Sequence, residues 1–213
     1  MKKIGILLES TNCSMYLYDT VNALANSKQI DIFYLINSDA SVQQGVWGGL
    51  KSKVKTNGLL RTVALVFFKI VTTLEYKILS VFFQDVRDHS KILRIDEYNN
   101  NETVYLDPVF SASGLFVRYS DEDIIKIKSL NLDIIIRGNA PGIFKGDIIN
   151  SAKDGIISFH HGDNRWNRGG PPAYWEVYLR KPSTGFIIQI LTEDLDGGSV
   201  LFRGNIQTKR SYI

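Results

Sequence analysis

Two of the chain's three histidines stand side by side in the stretch SFHHGDNRWNRGGPP, residues 158–172. The apolar run before them predicts a buried strand, in which neighbouring residues point to opposite faces. Only His160 therefore shares the face of Ser158. A histidine at a strand end, followed by Asp163 and Asn164, could act as a general acid or base or stabilise a developing negative charge.

Two plainer interpretations of His160 stay open. A histidine at a strand end is more often a structural hydrogen-bonding residue than a catalyst. A zinc site is the weaker alternative, since the chain has no HxxxH or HxH pair and no cysteine close to the histidines. The sequence therefore predicts no metal site.

The glycines and prolines that follow predict a loop that approaches a ligand closely and then turns stiffly. Proline is tolerated in a first helical turn, so PPAYWEVYL predicts a helix whose N-terminus faces this loop. Further on, DLDGG (194–198) taken alone predicts a hairpin turn. Taken with the histidine loop, we interpret Asp196 as a site residue instead.

The elements that must position these residues alternate between strand-like and helix-like patterns. KKIGILLE, MYLYDTVNALANS and IDIFYLIN predict a βαβ unit, and LDIIIRGN is typical of a central parallel strand. The fold class is therefore α/β, a Rossmann-like open, mostly parallel sheet with helices on both faces. Ligands bind beyond the carboxyl ends of such strands, where Asn139 and His160 lie.

Further elements follow from local patterns. SDEDIIKIKSLN predicts a helix with Ser120 as its N-cap, and GIFKGDIINSA predicts another helix. STGFIIQI predicts a strand. Residues 37–58 predict a loop. We expect a single domain over 1–213. The predicted domain ends after a strand, without a closing helix. We therefore expect either a truncated form or a short form that completes its core by dimerising.

A long apolar helix is predicted over 58–85 as a candidate insertion. A wide apolar face favours burial in the core or in a subunit interface, and docking on a membrane surface is the alternative, helped by Lys51, Lys53 and Lys55. Charges near its middle argue against a transmembrane span. Its polar stripe consists of Arg61, Lys69, Thr73 and Lys77.

Composition excludes several classes of protein. Among 213 residues, 44% are hydrophobic and 22% charged, a globular profile, and a net charge of +3 does not indicate nucleic-acid binding. The single cysteine, Cys13, allows no intrachain disulfide and suits a reducing cytoplasm. The loop ESTNCS after the first strand has no glycine, so the dinucleotide fingerprint GxGxxG is absent.

The segments SFHHGDNRWNRGGPP, TGFIIQI and LDGGSVL together resemble the core of the folate-dependent formyltransferases. That family's pattern runs Asn-x-His, a loop with Arg-Gly and a proline, Thr-Gly, and Leu-Asp-Thr-Gly. Aligned on Arg168 and Gly169, the family histidine falls on His160, and the family aspartate falls on Asp196. The resemblance is clearest over 130–204.

The resemblance implies formyl transfer from 10-formyltetrahydrofolate to a primary amine. His160 would stabilise the oxyanion or relay a proton, and Asp196 would orient His160. Residues expected to contact the folate are Asn139, Gly142, Ile143, Phe144, Thr192, Asp194 and Leu195. Residues expected to contact the acceptor are Asp163, Asn164, Trp166, Arg168 and Gly169.

One departure from the family pattern bears on catalysis. Ser158 stands where the family has the asparagine that polarises the formyl oxygen. Loss of one such donor typically lowers the rate by about 100- to 1,000-fold. Either Ser158 substitutes, or Asn139 or Asn164 reaches in, or the activity is weak or lost.

The acceptor implied by the resemblance is a small amine, an amino sugar linked to a nucleotide, with no nucleic acid as partner. RWNRGG is similar to the loop of methionyl-tRNA formyltransferases, but only nine residues follow Gly204. Two alternatives stay open: a formyltransferase-like binding module that has lost catalysis, and the front part of a larger glycan-assembly protein docked on a membrane or partner.

Overall fold

The computed structural model describes residues 1–38, 58–89, 91–99, 101–165, 173–195 and 197–208. The loop predicted over 37–58 lies almost wholly outside these residues, as do the two prolines of the histidine loop. The chain divides into two compact units. One contains Met1–Ala40 and Ile92–Ser211, and the other contains Ser41–Lys91 with the last two residues.

Twelve strands and five α-helices form in the described residues. The strands are β1 (Lys2–Leu8), β2 (Asn12–Cys13), β3 (Ile30–Asn37), β4 (Leu93–Arg94), β5 (Val104–Leu106), β6 (Val109–Phe110), β7 (Phe116–Arg118), β8 (Ile134–Arg137), β9 (Ile143–Phe144), β10 (Ile156–His160), β11 (Ser183–Ile190) and β12 (Ser199–Gln207). The helices are α1 (Met15–Ala25), α2 (Leu59–Phe82), α3 (Gln84–His89), α4 (Asp121–Ser129) and α5 (Tyr174–Tyr178).

Seven strands form the main sheet, in the order β12-β11-β10-β8-β1-β3-β5. The pairs among β10, β8, β1, β3 and β5 are parallel, and β11 and β12 add antiparallel strands beside β10. This arrangement confirms the predicted mostly parallel α/β sheet. Because the five parallel strands point the same way, their carboxyl ends meet at one edge of the sheet.

Strand alternation builds a core on each face of this sheet. Ile6 and Leu8 are buried on one face in a cluster with Leu17 of α1. Leu7, between them, is buried on the other face in a cluster with Ile127 of α4. Because both faces of the sheet are covered, the inner strands are apolar at nearly every position. Such continuous apolar runs made these strands predictable from the sequence.

The helix predicted after Ser120 is confirmed as α4. The Ser120 side chain accepts a hydrogen bond from the Asp123 N–H at 3.1 Å, as an N-cap does. Acidic residues fill the first turn, and Lys126 and Lys128 lie in the last, both favourable to the helix dipole.

The helix predicted over GIFKGDIINSA is wrong. The segment instead forms β9, which pairs in parallel with β7, and a 3₁₀ turn over Asp147–Asn150. Gly142 and Gly146 have φ values of 83° and 80°, in the left-handed region that ends regular helix. Two glycines four residues apart therefore outweigh the apolar periodicity between them.

The long helix predicted over 58–85 is confirmed as α2, followed by α3. Leu60, Phe67 and Phe82 of α2 are 88%, 67% and 75% exposed, so the expected burial within a core is not met in this chain. Within the described residues, no helix combines the length and apolarity needed to cross a membrane.

The ionised carboxylate of Asp133 stabilises the fold, and this stabilisation is lost at acid pH. Its carboxylate accepts the Lys3 N–H at 2.8 Å and lies 2.9 Å from the Lys153 ammonium, and these contacts lower its pKa to about 2. Because the folded pKa lies below the usual value of about 3.9, the stabilisation is present above that value and lost as pH falls towards 2.

We therefore predict that Asp133→Asn lowers the melting temperature at pH 6. The difference from the natural chain should shrink between pH 4 and pH 2 in thermal unfolding followed by circular dichroism. Asp19→Asn removes an exposed carboxylate on α1 and serves as the control. An Asp133→Asn difference that is constant with pH would contradict the assignment.

Candidate active site

Four polar side chains lie on one face of the sheet near its carboxyl edge. Ile156 of β10 pairs with Ile135 of β8, so Ser158 and Arg137 are each two residues further on along neighbouring strands. In the antiparallel pair, Ser158 lies opposite Gln189 of β11. Residues two apart share a face, so His160 joins them.

Ser158 and Gln189 are both buried, each only 3% exposed. The Ser158 hydroxyl donates to the Phe159 carbonyl at 3.2 Å, and among the described residues the Gln189 Oε1 has no hydrogen-bond partner. Leaving a buried acceptor unpaired costs free energy that a ligand could recover. Rotation of the amide by 180° would present a donor in place of this acceptor.

A narrow cleft opens over this face, and we call it the histidine cleft. Its free space of about 70 Å³ is below the ~300 Å³ at which small-molecule sites begin, so a ligand must separate its walls or extend beyond them. It is lined by Arg137, Ile143, Phe144, Ser158, Phe159, His160, Gln189, Leu191, Thr192, Glu193, Asp194, Leu195 and Gly198.

Two loops that wall the histidine cleft are joined by Glu193. The Glu193 Oε1 accepts the Gly146 N–H at 2.8 Å, and its Oε2 lies 3.8 Å from the Lys145 ammonium. The Lys145 ammonium also donates to the Glu193 carbonyl. The loop after β9 and the loop after β11 are thereby held together on either side of the cleft.

Arg137 brings a partly buried positive charge to the histidine cleft. Its Nε donates to the Ala140 carbonyl at 3.1 Å, its Nη2 donates to the Gly142 carbonyl at 2.7 Å, and it stacks 5.0 Å from the Phe144 ring. Burial lowers the pKa of Arg137, but the usual value lies so far above neutrality that the group stays cationic. The cleft can therefore stabilise a negative charge.

The predicted folate residues are largely brought together. Five of them line the histidine cleft with Ser158 and His160: Ile143, Phe144, Thr192, Asp194 and Leu195. Gly142 adjoins it through the carbonyl that Arg137 holds. Asn139 instead bonds to the loop after β1, accepting the Glu9 N–H at 2.8 Å and donating to the Ser10 and Asn12 carbonyls at 3.0 Å.

The predicted acceptor residues are described only in part. Asp163 is 6% exposed and accepts hydrogen bonds from the Arg165 N–H and guanidinium at 2.6–2.9 Å, which lower its pKa. Asn164 has a φ of 63°, a left-handed conformation that Asn tolerates. Both shape the loop after β10. Asp196, Trp166, Arg168 and Gly169 lie outside the described residues.

The sequence analysis missed several residues of the histidine cleft, among them Arg137, Gln189 and Gly198. A signal for two of them was present. Gln189 is the one polar residue in the apolar run FIIQIL, and Arg137 ends the run IIIR. A polar residue within or ending a buried strand needs a partner, which makes it a site candidate.

A scan against models of known protein families finds no match. Curated methionyl-tRNA formyltransferases are similar in sequence. That of Bacillus subtilis (strain 168) is 27% identical over 90 residues, and that of Bacillus velezensis 28% over 87. These matches cover 42% and 41% of this chain but only 28% and 27% of the relatives' length.

Solved structures share the fold at low identity. Phosphoribosylglycinamide formyltransferase from Anaplasma phagocytophilum matches with a TM-score of 0.56 and 11% identity, covering 100% of this chain and 75% of that one. The enzyme from Bacillus halodurans matches with a TM-score of 0.53 and 9% identity, covering 100% and 83%. The chain therefore has the fold of these formyltransferases, and it is similar in sequence to methionyl-tRNA formyltransferases over less than half of its length.

Proposed function

We propose that the chain transfers a formyl group from 10-formyltetrahydrofolate to a primary amine at the histidine cleft. The observation that carries the proposal is the convergence of Arg137, Ser158, His160 and Gln189 on one sheet face. This face lies between the two loops expected to hold a folate. The transfer exchanges a formyl group and a proton between two nitrogens, so it needs no oxidant or reductant.

The walls of the histidine cleft suit a flat ring with polar edges. Ile143, Phe144 and Leu195 offer apolar surface, and the unpaired Gln189 Oε1 offers a buried hydrogen-bond acceptor. The co-substrate supplies an electrophilic formyl carbon. A pterin ring carries the N–H donors that a buried amide acceptor would pair with.

The residues of the cleft divide the chemical work. His160 is positioned to stabilise negative charge on the formyl oxygen or to move the proton released by the amine. The Arg137 cation favours the same negative charge. Gln189 lies opposite Ser158, so its amide can supply the donor that the family's asparagine would supply at position 158.

The acceptor that we propose is an amino sugar on a nucleotide. The relatives are named for methionyl-tRNA and phosphoribosylglycinamide, so the family formylates amines of different size. The loop over 163–168 carries Arg165 and Arg168 with Trp166 between them, groups that suit a phosphate and a ring. The buried free thiol of Cys13 is in keeping with a cytoplasmic location.

A second candidate function concerns α2. Its apolar side chains are exposed, and the helix carries three cations, Arg61, Lys69 and Lys77, against one carboxylate, Glu75. An interfacial helix with this charge would dock on an anionic bilayer surface. This role is compatible with formyl transfer to a membrane-associated glycan precursor.

Removal of the His160 imidazole tests the catalytic assignment. With nucleotide-linked amino sugars as acceptors, we expect His160→Ala to lower acceptor-dependent release of tetrahydrofolate by at least about 100-fold. His161→Ala is the matched control, because that ring packs against Phe159 at 4.9 Å and lies outside the residues lining the cleft. Equal losses in both variants would contradict the assignment. Folate binding without release in the natural chain would indicate a binding module.

Exchange of the amide donor tests the role of Gln189. We expect Gln189→Met to lower kcat by about 100-fold through loss of the amide donor, and to weaken folate binding through loss of the Oε1 acceptor. Ser158→Asn should raise the rate of the natural chain and should rescue Gln189→Met. Single-turnover kinetics on the four combinations would measure the coupling. If the two mutations had independent effects on the rate, the idea that Gln189 takes the role of the family's asparagine would be contradicted.

Vesicle co-sedimentation tests the role of α2. We expect binding to vesicles of phosphatidylcholine and phosphatidylglycerol at low salt, loss of binding at high salt, and weaker binding after Lys69→Glu and Lys77→Glu. The triple change Lys51→Glu, Lys53→Glu and Lys55→Glu should act in the same direction. Absence of binding at low salt would rule out this role.

A further inference from the structure

The turn after β10 contains a buried carboxylate that the proposed chemistry does not use. Asp163 lies three residues after His160 and is 6% exposed. Hydrogen bonds from Arg165 lower its pKa, so it is ionised at neutral pH. A buried charge costs free energy unless it is paired and hydrogen-bonded, so the partners of Asp163 indicate what it does.

Donors of the same turn occupy both oxygens of this carboxylate. Its Oδ1 accepts the Arg165 N–H at 2.9 Å, and its Oδ2 accepts hydrogen bonds from the Arg165 Nε at 2.9 Å and Nη2 at 2.6 Å. The sequence predicts that Asp163 contacts the acceptor. A side chain that is almost fully buried and accepts three hydrogen bonds within its own turn is poorly placed for such a contact.

A cation on β12 ties this turn to the end of the sheet. The Nη1 of Arg203 donates to the Asp163 carbonyl and lies 4.0 Å from the Asp163 Oδ1. Arg203 pairs opposite Ile187 of β11, and Ile187 pairs opposite His160 of β10. Arg203 and His160 therefore lie at the same level of the sheet, two strands or about 10 Å apart. The turn folds back over β11 to reach this cation.

A glycine on β11 makes room for the turn. A Cβ atom at Gly185 would lie 2.7 Å from the Asp163 Cβ and 3.2 Å from its Cγ, and contacts below 3.0 Å essentially do not occur. Gly185 is two residues from Ile187, so it faces the same side of the sheet as His160. Any larger residue at this position would push the turn away from the sheet.

We propose that Asp163 is a positioning residue for the acceptor, which fixes the turn over 162–165 against β11 and β12 and so orients the Arg165 guanidinium. The inference rests on the proposed function, in which this loop meets a phosphate of the acceptor. Asp163 holds the Nε and Nη2 edge of the guanidinium, while the Arg165 side chain is 63% exposed. A cation whose orientation is fixed in advance loses less entropy when it binds an anion.

Hydrogen exchange without any ligand tests the anchored turn apart from catalysis. We expect Asp163→Asn and Arg203→Met to speed amide exchange at 162–165 by about tenfold, because each loses a charge-assisted hydrogen bond. Asp154→Asn, which changes an exposed carboxylate before β10, is the control and should exchange as the natural chain does. Unchanged exchange in both test variants would overturn the inference.

Gly185→Ala displaces the turn while it keeps the carboxylate and both guanidinium groups. We expect it to speed exchange at 162–165 as Asp163→Asn does, and the double variant to exchange no faster than the faster single variant. Circular dichroism of each variant shows that the sheet is retained. Additive effects of the two substitutions would overturn the shared anchor.

Turnover with two acceptors tests whether Asp163 acts through Arg165. The acceptors are UDP-glucosamine and methyl glucosaminide, which share the ring and the amine but differ in the phosphates. With UDP-glucosamine, Asp163→Asn should raise KM by about tenfold and spare kcat, and it should add nothing to Arg165→Ala. With methyl glucosaminide, KM should not change.

The outcomes separate this inference from the proposed function. A carboxylate repels phosphate, so a direct contact between Asp163 and the sugar would raise KM equally for both acceptors, and that result would overturn the positioning role. Faster exchange with an unchanged KM for UDP-glucosamine would do the same. No turnover by the natural chain with either acceptor, together with faster exchange in the variants, would overturn the proposed function and leave the anchored turn in place.

Discussion

The side chain of Asn139 joins two neighbouring segments at the carboxyl edge of the sheet, the end of β8 and the loop after β1. Its three hydrogen bonds hold the end of β8 against the loop after β1, at the point where the chain crosses from one side of the sheet to the other. Parallel sheets bind ligands at such a crossing because loops there diverge and leave a crevice. Here the amide bridges the crevice and fixes the loop after β1 against the end of β8.

The histidine cleft gains its chemistry from strand register rather than from loops. Ser158, His160, Gln189 and Arg137 come from three neighbouring strands whose apolar residues fill the core below. A side chain on a rigid strand is positioned more precisely than one on a loop. The loops around it supply walls, and the hydrogen bond from the Gly146 N–H to Glu193 joins one wall to the other.

Much of this fold could be predicted because both faces of the sheet are covered. Such strands are apolar throughout, and β3 and β11 were predicted to the residue from IDIFYLIN and STGFIIQI. The segment after Gly142 misled the prediction because its apolar spacing fits a helix, whereas the φ values of its glycines depend on tertiary pairing with β7. His160 could be found because it adjoins a polar loop. Gln189 stood out as the one polar residue of its apolar run, but its role was missed because its partner across the strands is 31 positions away in sequence.

The central claim is that the histidine cleft is the folate site, and hydrogen exchange tests it most directly. The natural chain would be compared with and without 5-formyltetrahydrofolate, a stable analogue of the proposed donor. The account predicts slower amide exchange at 143–144 and 191–195, and no change at 104–106 in β5, which lies at the far end of the sheet. Protection confined to segments outside the histidine cleft, or no protection at saturating analogue, would contradict it.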